Sequence, residues 1–120
     1  MFLAQTDDKA SVSNELTRLQ NALLESVDEG FLSLGETMRD VLYQHIHSKY
    51  QLRREEIPDH LETFHQALQG LDAGAKIMEK LIAKNLCMRL GLKFTERADW
   101  TLIDYMNNLA EGTHRSLSES

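Results

Sequence analysis

Apolar residues recur at spacings of three and four along residues 34–46, the pattern of an amphipathic α-helix. This face is made by Leu34, Met38, Val41, Leu42, His45 and Ile46. Just before it, Ser33 and Glu36 have the spacing of a capping box, in which a hydroxyl and a carboxylate each satisfy a backbone N–H at a helix start. Because Tyr43, Ile46 and Tyr50 widen the stripe, the pattern predicts a central helix that contacts neighbours on two sides.

Similar signals predict four more helices. The candidate starts carry side chains that can cap a backbone N–H: Ser13 or Asn14, Asp59 with Glu62, and Thr95. The candidate stops carry glycine or proline: Gly30, Pro58, Gly91 and Gly112. The predicted helices cover residues 14–31, 33–50, 59–70, 73–90 and 95–111. Since the connections are short, we expect an all-α fold, a compact bundle of about five helices.

The helical pattern defines a single predicted domain over residues 13–112. Residues 1–12 and 113–120 are polar and lack periodicity, so we expect a flexible N-terminus and a flexible C-terminal tail. Between the second and third predicted helices, Ile57 is a lone apolar residue that stands between charged residues and Pro58. It is predicted to anchor an ordered link against the core.

Composition narrows the classes of function. The 120 residues carry a formal net charge of −6, which argues against a nucleic-acid backbone or an anionic membrane as the main partner. Cys87 is the only cysteine, so no intramolecular disulfide can form and nothing indicates an oxidising compartment. No signal-peptide pattern or membrane-spanning apolar run occurs, and we expect a cytoplasmic protein.

The residues that could carry chemistry do not form a recognisable site. His45 and His47 are two apart and His60 and His65 are five apart, so neither pair falls on one helix face as metal ligands would. Cys87 lies between Leu86 and Met88, a context typical of a small core hydrophobe. The sequence therefore predicts no catalytic residue, no metal ligand and no cofactor site.

Three surfaces are candidates for partner binding. Two apolar faces, which a small monomer core need not cover, predict a homodimer interface made from Tyr43, Ile46, Tyr50, Trp100, Leu102, Tyr105 and Leu109. A basic ridge is formed by Lys76, Lys80 and Lys84, which follow one another every four residues. A solvated acidic corner near the first turn contains Glu25, Asp28, Glu29, Glu36 and Asp40. The ridge could bind an acidic partner or the acidic corner of a second copy.

Several short stretches along residues 22–94 match the pattern of a known family. They are Ala22-Leu23-Leu24-Glu25, Asp28-Glu29-Gly30, Leu34-Gly35-Glu36, Tyr43-Gln44-His45, Arg54-Glu55-Glu56-Ile57-Pro58, Gly74-Ala75-Lys76 and Glu79-Lys80-Leu81-Ile82. In these stretches the chain resembles the Nitrosopumilus output domain, a small, mainly archaeal helical domain without an assigned biochemical function. The family pattern has a glycine after the helix-ending tyrosine, where this chain has Gln51, and an aromatic-glycine pair where it has Leu71-Asp72. The resemblance implies a helical domain that occurs alone or behind sensory modules, and it brings no catalytic, metal or cofactor residues.

These observations favour a non-enzymatic helical module for protein-protein interaction or signal output, one that self-associates. One alternative is a nucleic-acid-associated transcriptional regulator, which needs a dense basic surface, whereas Arg53 and Arg54 are followed at once by Glu55 and Glu56. Another is an enzyme, which needs a concave pocket with convergent polar groups that only coordinates can reveal.

Overall fold

Helices account for nearly all the regular structure of the chain. The computed structural model describes the backbone of residues 3–71 and 73–119, and the side chains of residues 17–71 and 74–111. The five α-helices are α1 (Leu3–Leu32), α2 (Glu36–Tyr50), α3 (Leu61–Leu68), α4 (Ala73–Arg89) and α5 (Leu102–Glu119). Two short 3₁₀ segments, Arg54–Asp59 and Gln69–Leu71, flank α3. No strand occurs in the described residues, and the predicted all-α bundle of about five helices is confirmed.

The α1 and α4 helices form the centre of the bundle and approach each other closely at Gly30. A Cβ atom at this position would lie 3.0 Å from Cγ1 of Ile82 and 3.1 Å from the sulfur of Met78. Gly30 was expected close to the end of the first helix, and it lies in the last turn of α1, where its missing side chain makes room for α4. The fully buried Leu23, Phe31, Phe64, Ile82 and Leu86 surround this contact.

The bounds of α1 and α5 differ most from the sequence-based prediction. The α1 helix begins at Leu3 instead of Asn14, and α5 begins at Leu102 instead of Thr95 and continues to Glu119. Residues 92–97 have no regular structure. The predicted flexibility of residues 1–12 and 113–120 stays a prediction, and Met1, Phe2 and Ser120 lie outside the described residues.

Both predicted capping boxes are wrong. Because α1 continues to Leu32, Ser33 belongs to the turn that ends α1, where its hydroxyl donates to the Gly30 carbonyl at 2.5 Å. The α2 helix instead starts after Gly35, which has a φ of +108° that favours glycine. The α3 helix starts after His60, which provides no side-chain cap, so Asp59 does not cap it.

The link between α2 and α3 is ordered, as predicted. The segment Arg54–Asp59 is a 3₁₀ turn in which Ile57 is fully buried, so its anchoring role is confirmed. The Arg53 N–H donates to the Glu56 carboxylate at 2.9 Å and holds the start of this turn. At the end of α2, Gln51 has a left-handed φ of 53°, the conformation that glycine adopts with least strain.

Candidate functional site

A buried carboxylate on α4 joins three neighbouring segments. The Glu79 side chain is only 5% exposed, and it accepts hydrogen bonds from Nδ1 of His65 at 2.9 and 3.0 Å. It also accepts from Nε2 of Gln69 at 3.1 Å and from the backbone N–H of Leu102 at 2.8 Å. Glu79 therefore fixes α3, the 3₁₀ segment after it and the first turn of α5 relative to α4. The bond from Leu102 also satisfies a backbone N–H that burial would otherwise leave unpaired.

The partner histidine has a defined orientation. Because a carboxylate can only accept, the Nδ1 atom of His65 must carry the hydrogen of this contact. The Nε2 atom has no hydrogen-bond partner among the described residues, and no buried side-chain nitrogen or oxygen in this part of the chain lacks one. Nε2 is therefore accessible to solvent. A histidine held by a carboxylate through one nitrogen presents the other to a ligand in a fixed direction.

This histidine lines a cavity of about 360 Å³ beside α3, α4 and the loop that precedes α5. The lining consists of His65, Gln69, Lys76, Glu79, Asp99, Trp100 and Thr101. A volume of this size is in the range of small-molecule sites, and the combination of an aromatic wall with a few polar groups is typical of them. We call these seven residues the Glu79 pocket.

The loop that carries Trp100 is held by two local contacts. The Thr101 N–H donates to the Asp104 carboxylate at 2.9 Å, which caps the start of α5. The Tyr105 hydroxyl accepts from the Arg97 N–H at 2.8 Å, and the Tyr105 ring packs edge-on against Trp100 with ring centres 5.1 Å apart. The indole is therefore positioned by the first turn of α5.

A second polar cluster joins α1, α2 and the 3₁₀ link. Arg54 donates to both carboxylate oxygens of Asp28, from Nε at 2.9 Å and from Nη2 at 2.6 Å, and the Tyr43 hydroxyl donates to the same carboxylate. Burial alone would raise the pKa of Asp28, but the hydrogen bonds and charge from Arg54 and the Tyr43 bond outweigh it, so the pKa is lowered. Burial, followed by the Asp28 contact, raises the pKa of Tyr43. We interpret this cluster as structural, since all its polar groups contact one another.

Several residues predicted to form an interface belong to the core of the single chain. Ile46, Leu102 and Tyr105 are buried, so they are not left over for a partner, and this corrects their assignment to a surface face. The reason is that α1 and α3 pack against α2, while α1, α3 and α4 pack against α5. The remaining predicted interface residues are partly buried and pack against the same core: Tyr43, Tyr50, Trp100 and Leu109.

A different face of α2 is exposed instead. Leu34, Met38 and Val41 are 48%, 41% and 48% exposed, although each was predicted to lie on the buried stripe. Only Leu42 and Ile46 on α2 are buried, so α2 is a peripheral helix and not the predicted central one. We call the three exposed residues the α2 face.

The charged surfaces are partly neutralised within the chain. In the basic ridge, Lys76 and Lys84 are exposed, whereas Lys80 donates to Glu96 at 3.1 Å. In the acidic corner, Arg89 on α4 donates to Glu25 at 2.7 Å and to Glu29 at 2.6 Å. Fewer charges than the sequence indicates are therefore free for the predicted pairing of the basic ridge with the acidic corner of a second copy.

Other candidate groups offer little chemistry. Cys87 is buried, and burial raises the pKa of its thiol, which fits the predicted role of a small core hydrophobe. Among the described residues, no three potential ligands converge as a metal site requires. None of the helices in the described part of the chain combines the length and apolar character needed to cross a bilayer.

Comparisons with known proteins found no match to this chain. No family model matches the chain, and neither characterised proteins nor solved structures give a significant match. The functional argument therefore depends on the geometry of the chain itself.

Proposed function

We propose that the chain is a non-enzymatic helical interaction module that self-associates through the α2 face. The observation that carries this proposal is the exposure of Met38 and Val41 on one side of α2, whose other side is buried, together with the exposure of Leu34 in the turn before it. Contiguous exposed apolar residues on a small soluble domain commonly mark contact surfaces. The resemblance to an output domain supports the same class of function.

The positions of these residues support a helix-to-helix contact. Met38 and Val41 are three positions apart and therefore lie on one side of α2, and Leu34 lies in the turn just before the helix. Leu32, at the end of α1, is also 39% exposed. An exposed apolar side of a helix is a surface against which another helix can pack.

A second copy is the partner that we favour. In a closed two-fold dimer the same strip faces itself, so one surface supplies both halves of the contact. An antiparallel pair of α2 helices would place Met38 beside the partner's Val41 and bury both. The predicted homodimer is thus retained, but with the α2 face in place of the residues that the monomer core uses.

Val41→Glu tests this proposal. Glutamate forms helices well and Val41 is exposed, so the monomer should keep its fold, while a charge placed in the apolar contact should weaken the dimer by at least about tenfold. Light scattering coupled to size exclusion should give twice the 13.8 kDa mass for the native chain and a single-chain mass for the variant at the same concentration.

Ile77→Glu is the matched control, because Ile77 is 71% exposed on α4, away from the α2 face. It introduces the same charge at another exposed apolar position and should leave the dimer intact. A native chain that stays monomeric, or a Val41→Glu variant that dimerises as well as the Ile77→Glu variant, would contradict the proposal.

A further inference from the structure

The Glu79 pocket presents both signs of charge beside an aromatic wall. Lys76 supplies an ammonium group and Asp99 a carboxylate, and both line the same cavity of about 360 Å³. Neither of them forms an ion pair with another residue whose side chain is described. Trp100 lines the cavity together with them and supplies apolar surface.

The pocket floor is already organised before any ligand enters. The Glu79 carboxylate accepts its four hydrogen bonds from groups of the chain itself, so it is not available to a ligand. His65 is held in place through Nδ1, and its accessible Nε2 is the polar atom that remains for a ligand. Because these groups are fixed in advance, less ordering free energy opposes binding.

We propose that the Glu79 pocket binds a free α-amino acid with an apolar side chain. The ligand ammonium group pairs with Asp99 and donates to Nε2 of His65, and the ligand carboxylate pairs with Lys76. The apolar side chain lies against Trp100. Such a ligand pairs with both free charges of the pocket, the Lys76 ammonium and the Asp99 carboxylate.

Ligands of a single charge fit less well. A simple carboxylic acid satisfies Lys76 but brings its negative charge close to Asp99, and a simple amine satisfies Asp99 but approaches Lys76. Like charges at short range in a partly enclosed site cost free energy. A zwitterion avoids both repulsions, and a small one fits a cavity of this size.

The larger cleft of about 530 Å³ beside α1 and α4 is a weaker candidate for a ligand site. It is lined mainly by polar residues of α1, and one of its two arginines, Arg89, is already engaged by Glu25 and Glu29. None of the polar side chains in its lining is buried, whereas the Glu79 pocket contains the buried Glu79.

The test uses three probes that differ by one charged group. L-phenylalanine carries both charges, 3-phenylpropanoate lacks the ammonium group and 2-phenylethylamine lacks the carboxylate. Isothermal titration calorimetry on the full chain should detect L-phenylalanine binding at concentrations up to about 10 mM, with each analogue weaker by at least about tenfold. The tenfold figure corresponds to the loss of one charge-assisted hydrogen bond.

Two variants locate the binding site, and each has a control. Lys76→Met and Asp99→Asn should each weaken L-phenylalanine binding by about tenfold or more, because each removes one of the pairing charges. Lys84→Met removes an exposed lysine from the same helix, and Glu55→Gln removes an exposed carboxylate from the 3₁₀ link. Both controls should bind like the native chain.

Three results would overturn the proposal. They are the absence of L-phenylalanine binding, binding of either analogue as tight as that of L-phenylalanine, and pocket variants that bind as well as their controls. Since the α2 face contributes no residue to this pocket, Val41→Glu should bind L-phenylalanine like the native chain. Failure of the dimer proposal and failure of the ligand proposal are therefore separately observable.

Discussion

Glu79 and Asp28 are two carboxylates that join distant segments, but they differ in burial and in the charge of their partners. The Glu79 side chain is 5% exposed and is held by His65, Gln69 and a backbone N–H. The Asp28 side chain is 28% exposed and is neutralised by Arg54, which is always charged. The comparison indicates that removing Glu79 leaves several enclosed donors without an acceptor, whereas water can replace much of what Asp28 provides.

Asp28 and Glu79 also have different roles in the molecule. Asp28, Arg54 and Tyr43 satisfy one another, so their arrangement stabilises the junction of α1, α2 and the link. Glu79 also holds its neighbours together, but the histidine that it orients has a nitrogen that solvent reaches. Stability depends on both carboxylates, and the candidate site depends on only one.

The largest expected effect comes from Glu79→Ala. It leaves the His65 Nδ1–H and the buried Leu102 N–H without their acceptor, and we expect a loss of about 3–5 kcal/mol of unfolding free energy. Urea denaturation followed by circular dichroism measures it. Glu79→Gln keeps one acceptor oxygen and nearly the same volume, so its loss should be smaller. A loss below about 1 kcal/mol for Glu79→Ala would show that the network matters little.

A smaller effect is expected for Asp28→Asn. The variant loses the charged pairing with Arg54, and because both side chains contact water we expect a loss of about 1–2 kcal/mol near pH 7. Urea denaturation at neutral pH gives this value. Asp40→Asn, at a carboxylate that is 71% exposed, is the control and should change stability little.

The pH dependence of the stability loss in Asp28→Asn tests whether the charge of Asp28 causes that loss. Since folding lowers the pKa of Asp28, its contribution is present above the unfolded pKa and is lost as the pH falls through the folded pKa. The difference between the native chain and Asp28→Asn should therefore shrink as the pH falls below about 4, the ordinary carboxyl value. A difference that stays constant as the pH falls well below that value, measured by the same denaturation series, would contradict the role of the Asp28 charge.

Local patterns predicted the elements of this fold better than their ends. The α4 helix was expected at residues 73–90 and spans Ala73–Arg89, because its apolar stripe has the helical period over its whole length. The start of α5 was missed, although Thr101 is followed three residues later by Asp104, the spacing at which an acid accepts from the capping residue's N–H. Thr95 has no acid at that position.

The candidate site was not predictable to the same degree. Glu79 falls on the apolar stripe with Ala75, Ile82 and Leu86, so a buried carboxylate could have been recognised as a polar residue on a core face. His65 could not be assigned as its partner, because the two are fourteen positions apart on different helices. The exposure of the α2 face depends equally on which helices pack together, and the pattern of α2 alone does not contain that information.

The smallest expected effect comes from Arg89→Met, which extends the comparison to an exposed cluster. Arg89 contacts Glu25 and Glu29, whose side chains are 57% and 47% exposed, and methionine keeps most of the apolar stem that packs on the surface. We expect a loss of about 0–1 kcal/mol at low salt, decreasing further at about 1 M salt because screening weakens surface pairs. A double-mutant cycle with Glu29→Gln, followed by urea denaturation, isolates the pair from the changes in packing. A coupling energy above about 2 kcal/mol would show that an exposed ion pair can be strong. Solvent exposure would then not explain why the Asp28 cluster contributes less to stability than Glu79.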